Sequence, residues 1–168
     1  MVKRFFLTVV VLLWACVLRA QPDRVYTSLS EVTNPSEVYV LQLRHNRYKK
    51  IPSEVYQMTN LRQLDLRGNK IAYLSDSMAV LTHLQRLDMS RNPLMEIPAV
   101  MAQLNELREL VLWSTYVTAL PPDFERLDGV LEVLDLRHCP LLIEDQEALE
   151  KMLPSVEKLW DYACNCGD

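Results

Sequence analysis

The chain has only three glycines and three histidines in 168 residues. The glycines make no phosphate-cradling loop, and no serine nucleophile elbow is present. His45, His83 and His138 share no metal-binding spacing, so neither a metal nor a cofactor has a recognisable seat. Asp and Glu are scattered, and nothing marks two of them as an acid/base pair. These absences argue against an enzyme. An excess of positive charge is also lacking: 18 basic residues face 22 acidic ones, a net charge of −4. That disfavours nucleic acid as a partner, because neutralising phosphates needs a basic surface. Long apolar runs are missing too. Phe5 to Leu18 is about 14 residues, short of the roughly 20 that a membrane-spanning helix needs.

That run has its own meaning. Lys3 and Arg4 precede it and the small Ala20 follows, which is the basic–apolar–small order of a secretory signal peptide. Residues 1–20 are therefore expected to be a signal peptide cut after Ala20, leaving Gln21 as the new N-terminus. Two alternatives stay open. Leu13-Trp14-Ala15-Cys16 resembles a bacterial lipobox with Cys16 as the lipidated residue, and the segment could persist as an uncleaved anchor. A membrane would be met only through one of these two. The expected location is outside the cytoplasm (periplasmic, cell-surface or secreted), the alternative being a membrane-anchored lipoprotein. Removing Lys3, Arg4 and Arg19 would leave 15 basic against 22 acidic residues, a net charge of −7 that suits a non-sticking surface.

Beyond residue 37 a unit of about 23 residues repeats. It reads Val38-x-x-Leu41-x-Leu43-x-x-Asn46 in the first copy. The next are Leu61-x-x-Leu64-x-Leu66-x-x-Asn69 and Leu84-x-x-Leu87-x-Met89-x-x-Asn92. Two more follow as Leu107-x-x-Leu110-x-Leu112-x-x-Thr115 and Leu131-x-x-Leu134-x-Leu136-x-x-Cys139. Period, leucine positions and the Asn/Cys column resemble the leucine-rich repeat family over residues 38 to about 160. The Ile/Leu-Pro form at Ile51-Pro52, Ile97-Pro98 and Leu120-Pro121 resembles the type found in bacterial and intracellular signalling proteins of that family. The resemblance implies an α/β solenoid, a short curved horseshoe with a parallel concave sheet and short helices or turns on the convex side. It implies a surface for binding proteins rather than an active site.

Alternation along each strand sends positions one, four and six of the repeat inward. Position nine, held by Asn46, Asn69, Asn92, Thr115 and Cys139, falls where the chain turns and backbone groups would be buried without partners. A side-chain amide there can donate and accept between coils, so these five residues are expected to form a ladder, weaker at Thr115 and Cys139. Apolar pairs spaced three and four apart, such as Val55 with Met58 and Met101 with Leu104, predict helical turns on the convex side. Residues 21–37 read as an N-terminal cap with a capping box at Ser28-Leu29-Ser30-Glu31. Residues 38–155 hold five repeats, and residues 156–168 a C-terminal cap and cysteine-containing tail. In that tail Val156 to Leu159 is expected to start a sixth strand. Cys164 and Cys166, one residue apart, would close a strained ring with each other. That leaves Cys139, another chain, or free thiols, and the pairing stays open.

Positions three, five and seven face outward on the concave side. With Val156 in position one, the last strand would add Lys158, Trp160 and Tyr162 to these columns. Most of the columns are charged, and Asp65 with Arg67, Arg86 with Asp88, and Asp135 with Arg137 are expected to pair. Trp113 and Val111 break the polar pattern, and Val133 lies beside them. An outward aromatic among arginines has the composition of a protein-binding hot spot. Trp113, Val111 and Val133, with Arg67, Asp88 and Arg137 around them, are thus the candidate partner-binding residues, Arg137 being expected to lie against the indole. The function expected is an exported protein-interaction module that binds through its concave face. The alternatives are a lipid-anchored structural or adhesion component of a bacterial envelope, and an intracellular signalling scaffold.

Overall fold

The computed structural model describes residues 24–161. Seven parallel strands lie side by side in chain order. They are β1 (Val25–Tyr26), β2 (Val40–Gln42), β3 (Gln63–Asp65), β4 (Arg86–Asp88), β5 (Glu109–Val111), β6 (Val133–Asp135) and β7 (Glu157–Leu159). The central residues of β2 to β6, Leu41, Leu64, Leu87, Leu110 and Leu134, pair in a single row and are fully buried. An almost constant repeat length makes this possible, since each coil returns the same position to the same height.

Parallel neighbours need a crossover connection. From β2 to β6 each crossover holds one 3-10 helix on the convex side: Ser53–Gln57, Asp76–Val80, Ala99–Gln103 and Pro122–Leu127. Pro52, Pro98 and Pro121 sit at the entrances to three of them, where a missing N–H costs nothing. At the fourth, Ser75 accepts a hydrogen bond from the Ser77 N–H instead. Val55, Met58, Met78, Leu81, Met101, Leu104, Phe124 and Leu127 close the core from this side. The last crossover is a true helix, α1 (Ile143–Met152), with the Asp145 carboxylate accepting from the Leu142 N–H at its start. The expected solenoid, a parallel concave sheet backed by convex turns, is the fold adopted. No coil could bury its leucines alone, so stability resides in the stacking.

The turn leaving each strand follows one rule. Position eight, occupied by His45, Gly68, Arg91, Ser114 and His138, has φ between +55° and +72° in every coil. Four of the five are not glycine, so the left-handed turn carries a cost of roughly 1 kcal/mol at each. The bonds it sets up offset that. Asn69 donates to the Leu43 and Leu66 carbonyls at 2.8 and 2.7 Å and accepts from the Tyr48 N–H at 3.0 Å. Asn92 repeats the set one coil later, donating to Leu66 and Met89 and accepting from Ile71. Each asparagine therefore ties its own coil to the preceding one. Further on the ladder thins: Cys139 donates to the Leu112 carbonyl at 3.1 Å and contacts the Thr115 hydroxyl at 3.4 Å. Burial raises the Cys139 thiol pKa, which keeps the sulfur protonated as a donor.

Three expectations need correction. Asn46 is not a rung of the ladder: it is exposed and makes no hydrogen bond among the described residues. A rung needs a carbonyl in the preceding coil. Counting along the β1–β2 register, that place falls to Ser28, where the chain has already left a two-residue strand and entered a 3-10 turn, Leu29–Glu31. The cap also lacks the expected capping box. Ser28 accepts from the Ser30 N–H, Glu31 bonds the Thr27 hydroxyl instead, and Asn34 opens a second turn, Pro35–Glu37.

At the other end β7 is shifted by one residue from the sequence expectation. Glu157 pairs with Val133, Lys158 with Leu134 and Leu159 with Asp135. Lys158 thus occupies the core row rather than the concave face, with only 3% of its side chain exposed. Its ammonium donates to the Leu153 and Val156 carbonyls at 2.7 and 2.8 Å and meets Glu150 at 3.2 Å. A buried lysine is tolerable when its donors are so occupied. Trp160 consequently packs against the core, and Asp161 bonds the backbone N–H of His138. Cys16, Tyr162, Cys164 and Cys166 lie outside the described residues.

Candidate functional site

The strand register aligns the outward side chains in columns. One runs Gln42, Asp65, Asp88, Val111, Asp135, Leu159, and another Val40, Gln63, Arg86, Glu109, Val133, Glu157. The aspartates of the first column have a local task that the sequence reading missed. Asp65, Asp88 and Asp135 each accept a hydrogen bond from the backbone N–H two residues on, at Arg67, Ser90 and Arg137, at 2.9–3.1 Å. They satisfy the strand end just before the left-handed turn, as aspartate does in an Asx turn. The recurring Leu-Asp-Leu/Met triplet at residues 64–66, 87–89 and 134–136 was the available signal.

Only part of the expected ion pairing forms. Asp135 and Arg137 make two hydrogen bonds at 2.9 and 2.6 Å, which hold the Arg137 pKa above its usual value. Asp65 pairs across the strands with Arg44 at 2.6 Å, not with Arg67. Arg86 is held by Glu109, its approach to Asp88 being a longer 3.9 Å. Asp88 is only 7% exposed and spends one oxygen on the Ser90 N–H and hydroxyl, at 2.9 and 2.5 Å.

Trp113 lies at the centre of this face and is half-buried. Val111, two residues earlier on the same strand face, is 7% exposed. The indole has cations over it, but Arg137 is not one of them, because Asp135 draws that guanidinium away. The Arg91 guanidinium carbon stands 4.5 Å from the ring centroid and that of Arg67 5.4 Å. The small Ser90 between Arg67 and Trp113 in the column leaves the room. Arg91 reaches the indole from the left-handed position eight, at the turn edge of the sheet and outside the columns that strand alternation defines. The His138 ring sits 5.9 Å away on the other side of the stack, tilted by 59°. Arg67, Arg86, Asp88, Ser90, Val111, Trp113, Val133, Asp135, Arg137 and Leu159 are among the residues lining a pocket of about 300 Å³. A shallow apolar floor, one aromatic wall and a charged rim result. That is an arrangement for non-covalent contact.

Known proteins with the same repeat agree with this architecture. The leucine rich repeat model matches residues 36–94, and a second leucine rich repeat model matches residues 130–152. No curated protein matches the sequence. Among solved structures, a leucine-rich repeat protein of Leptospira interrogans is similar over 76% of this chain, with 34% identity and a TM-score of 0.70. The match spans 32% of that protein's own chain. A plant peptide hormone receptor solved in complex with RGF2 shares the fold at 22% identity and a TM-score of 0.57, over 81% of this chain and 22% of its own. An internalin of Listeria monocytogenes does so at 22% identity and 0.53, over 75% of this chain and 36% of its own. With the repeat, the register of its strands and these matches together, the chain belongs to the leucine-rich repeat family.

Proposed function

We propose that this protein is an exported protein-interaction module that binds its partner on the concave face, around Trp113. One observation carries the reading: a half-buried indole stands outward on a sheet whose other outward side chains are mostly polar, over a floor of valine. Aromatic anchors of this kind dominate binding energy at interfaces. That a receptor of the same fold is solved with RGF2 supports the class of function and says nothing of the partner here. A photo-crosslinking residue at Val133, on the concave face, should capture the partner in the native host. The same residue at Glu125, on the convex 3-10 helix, should not. Equal capture from both faces would reject the concave site.

Export belongs to the same proposal and rests on the order of residues 3–20. Intact mass of the protein from its native host should correspond to a chain starting at Gln21. A start at an acylated Cys16 would favour the second reading, a lipid-anchored envelope component, and a mature chain starting at Met1 would remove export by cleavage altogether.

A further inference from the structure

The four carboxylates on the strands around the indole are already engaged. Asp65 is taken by Arg44, Glu109 by Arg86, and Asp135 by Arg137. Asp88 is committed to Ser90. Arg67 and Arg91 remain, and among the described residues neither has a carboxylate partner. Both instead stand over one indole. The Nε of Arg67 is buried without any hydrogen-bond acceptor among those residues, which is unusual for a group so costly to desolvate. Cation–π contact compensates the charge but accepts none of the guanidinium N–H groups. A buried, unsatisfied Nε on Arg67 and an exposed guanidinium on Arg91 with no carboxylate partner among the described residues therefore flank the residue that anchors the proposed interface.

We infer that the Arg67–Trp113–Arg91 cluster receives an acidic segment of a protein partner, its carboxylates accepting from the two guanidiniums while apolar atoms lie on the indole and the Val111–Val133 floor. The inference rests on the concave-face reading and adds the chemistry of the partner. Arginine presents paired N–H donors that match a carboxylate, and such bonds strengthen where neighbouring apolar groups exclude water. With both guanidiniums within 5.4 Å of one ring centroid, neighbouring carboxylates along one short stretch of chain serve both. The protein's net charge of −4 makes this local cation cluster a contrast with the whole, so the attraction is local and screened by salt within about 10 Å.

Capped hexaglutamate, capped hexaglutamine and inorganic phosphate are the probes. The readout is the Trp113 indole N–H resonance of the full chain, assigned by its loss in Trp113→Phe. Hexaglutamate should shift it saturably and hexaglutamine should not. Arg67→Gln and Arg91→Gln should each weaken hexaglutamate by about tenfold, the worth of one charge-assisted bond. Arg126→Gln, on the convex side, should leave it unchanged, and melting midpoints of all three variants check that they fold. Equal response to both peptides, or equal weakening by Arg126→Gln, would overturn the inference. Inorganic phosphate competing as well as hexaglutamate would replace the peptide by a phosphate site. If the partner crosslinked through Val133 keeps its affinity in Arg67→Gln and Arg91→Gln, acidic recognition falls and the concave-face reading stands. Hexaglutamate binding without any Val133 crosslink would reject the concave-face partner and, with it, the assignment of the acidic segment to a protein.

Discussion

Replacing Trp113 with alanine is expected to weaken the concave-face partner by about 30-fold or more, the effect of losing a central aromatic worth roughly 2 kcal/mol in an interface. Folding should suffer less. The indole is half-buried, and on the folding side the change removes its cover of Val111 and two cation–π contacts at a partly exposed site. Such contacts contribute roughly 0.5–1 kcal/mol each, so a stability loss of about 1–2 kcal/mol is the upper expectation. That corresponds to a fall of only a few degrees in melting midpoint for a chain of this size. Affinity for the crosslinked partner and a thermal melt, measured on the same preparation, separate the two effects. Unchanged affinity with a loss beyond about 3 kcal/mol would make Trp113 a cover for the sheet and nothing more.

The row of Leu41, Leu64, Leu87, Leu110 and Leu134 was legible because a nearly fixed period repeats one physical environment, and stacking admits only one register for it. Trp113 was legible for the same reason, since it follows the core Leu112 just past the end of β5. What escaped lies where the repeat stops being periodic or local. β1 is two residues long and has no pattern to read. β7 was read one residue out of place because Val156-x-x-Leu159 imitates the start of a repeat, whereas Glu157 follows Val133 at the same 24-residue spacing by which Val133 follows Glu109. A lysine in a core row contradicts every hydrophobic pattern. The carbonyls at Leu153 and Val156, together with the Glu150 carboxylate, make Lys158 acceptable there.

The site divides in the same manner. Residues on strands or two positions past their ends were placed on the concave side by alternation: Arg67, Asp88, Val111, Val133 and Arg137 all line the pocket around Trp113. Their partners were not. A same-strand pairing of Asp65 with Arg67 was the simplest reading of the sequence. The structure gives Asp65 to Arg44 and frees Arg67 for the indole, because cross-strand neighbours compete with same-strand ones at comparable range. Arg91 was missed since a left-handed backbone turn, invisible in a non-glycine residue, sets it beside the indole from the turn edge.

Asn92→Ala is expected to destabilise the fold by about 3 kcal/mol or more, and Asn46→Ala by no more than about 0.5 kcal/mol, although both occupy position nine of the repeat. Asn92 is 2% exposed. Its amide donates to Leu66 at 3.0 Å and Met89 at 2.9 Å, and its oxygen accepts from Ile71 at 3.0 Å. Alanine would leave two carbonyls and one N–H buried at the seam between coils, each costing about 1–3 kcal/mol unless water enters. The loss falls on the contact between the second and third coils, in the middle of the stack. A solenoid holds together through such nearest-neighbour contacts, so a weakened central seam lowers the stability of both halves at once. Asn46 stands at the end of the array, exposed, beside a cap that offers no carbonyl for it. Urea melts of the two variants provide the comparison, with slopes checked for a lost two-state transition. Equal midpoints would mean that the asparagine column is a sequence habit of the turn and contributes no cohesion between coils.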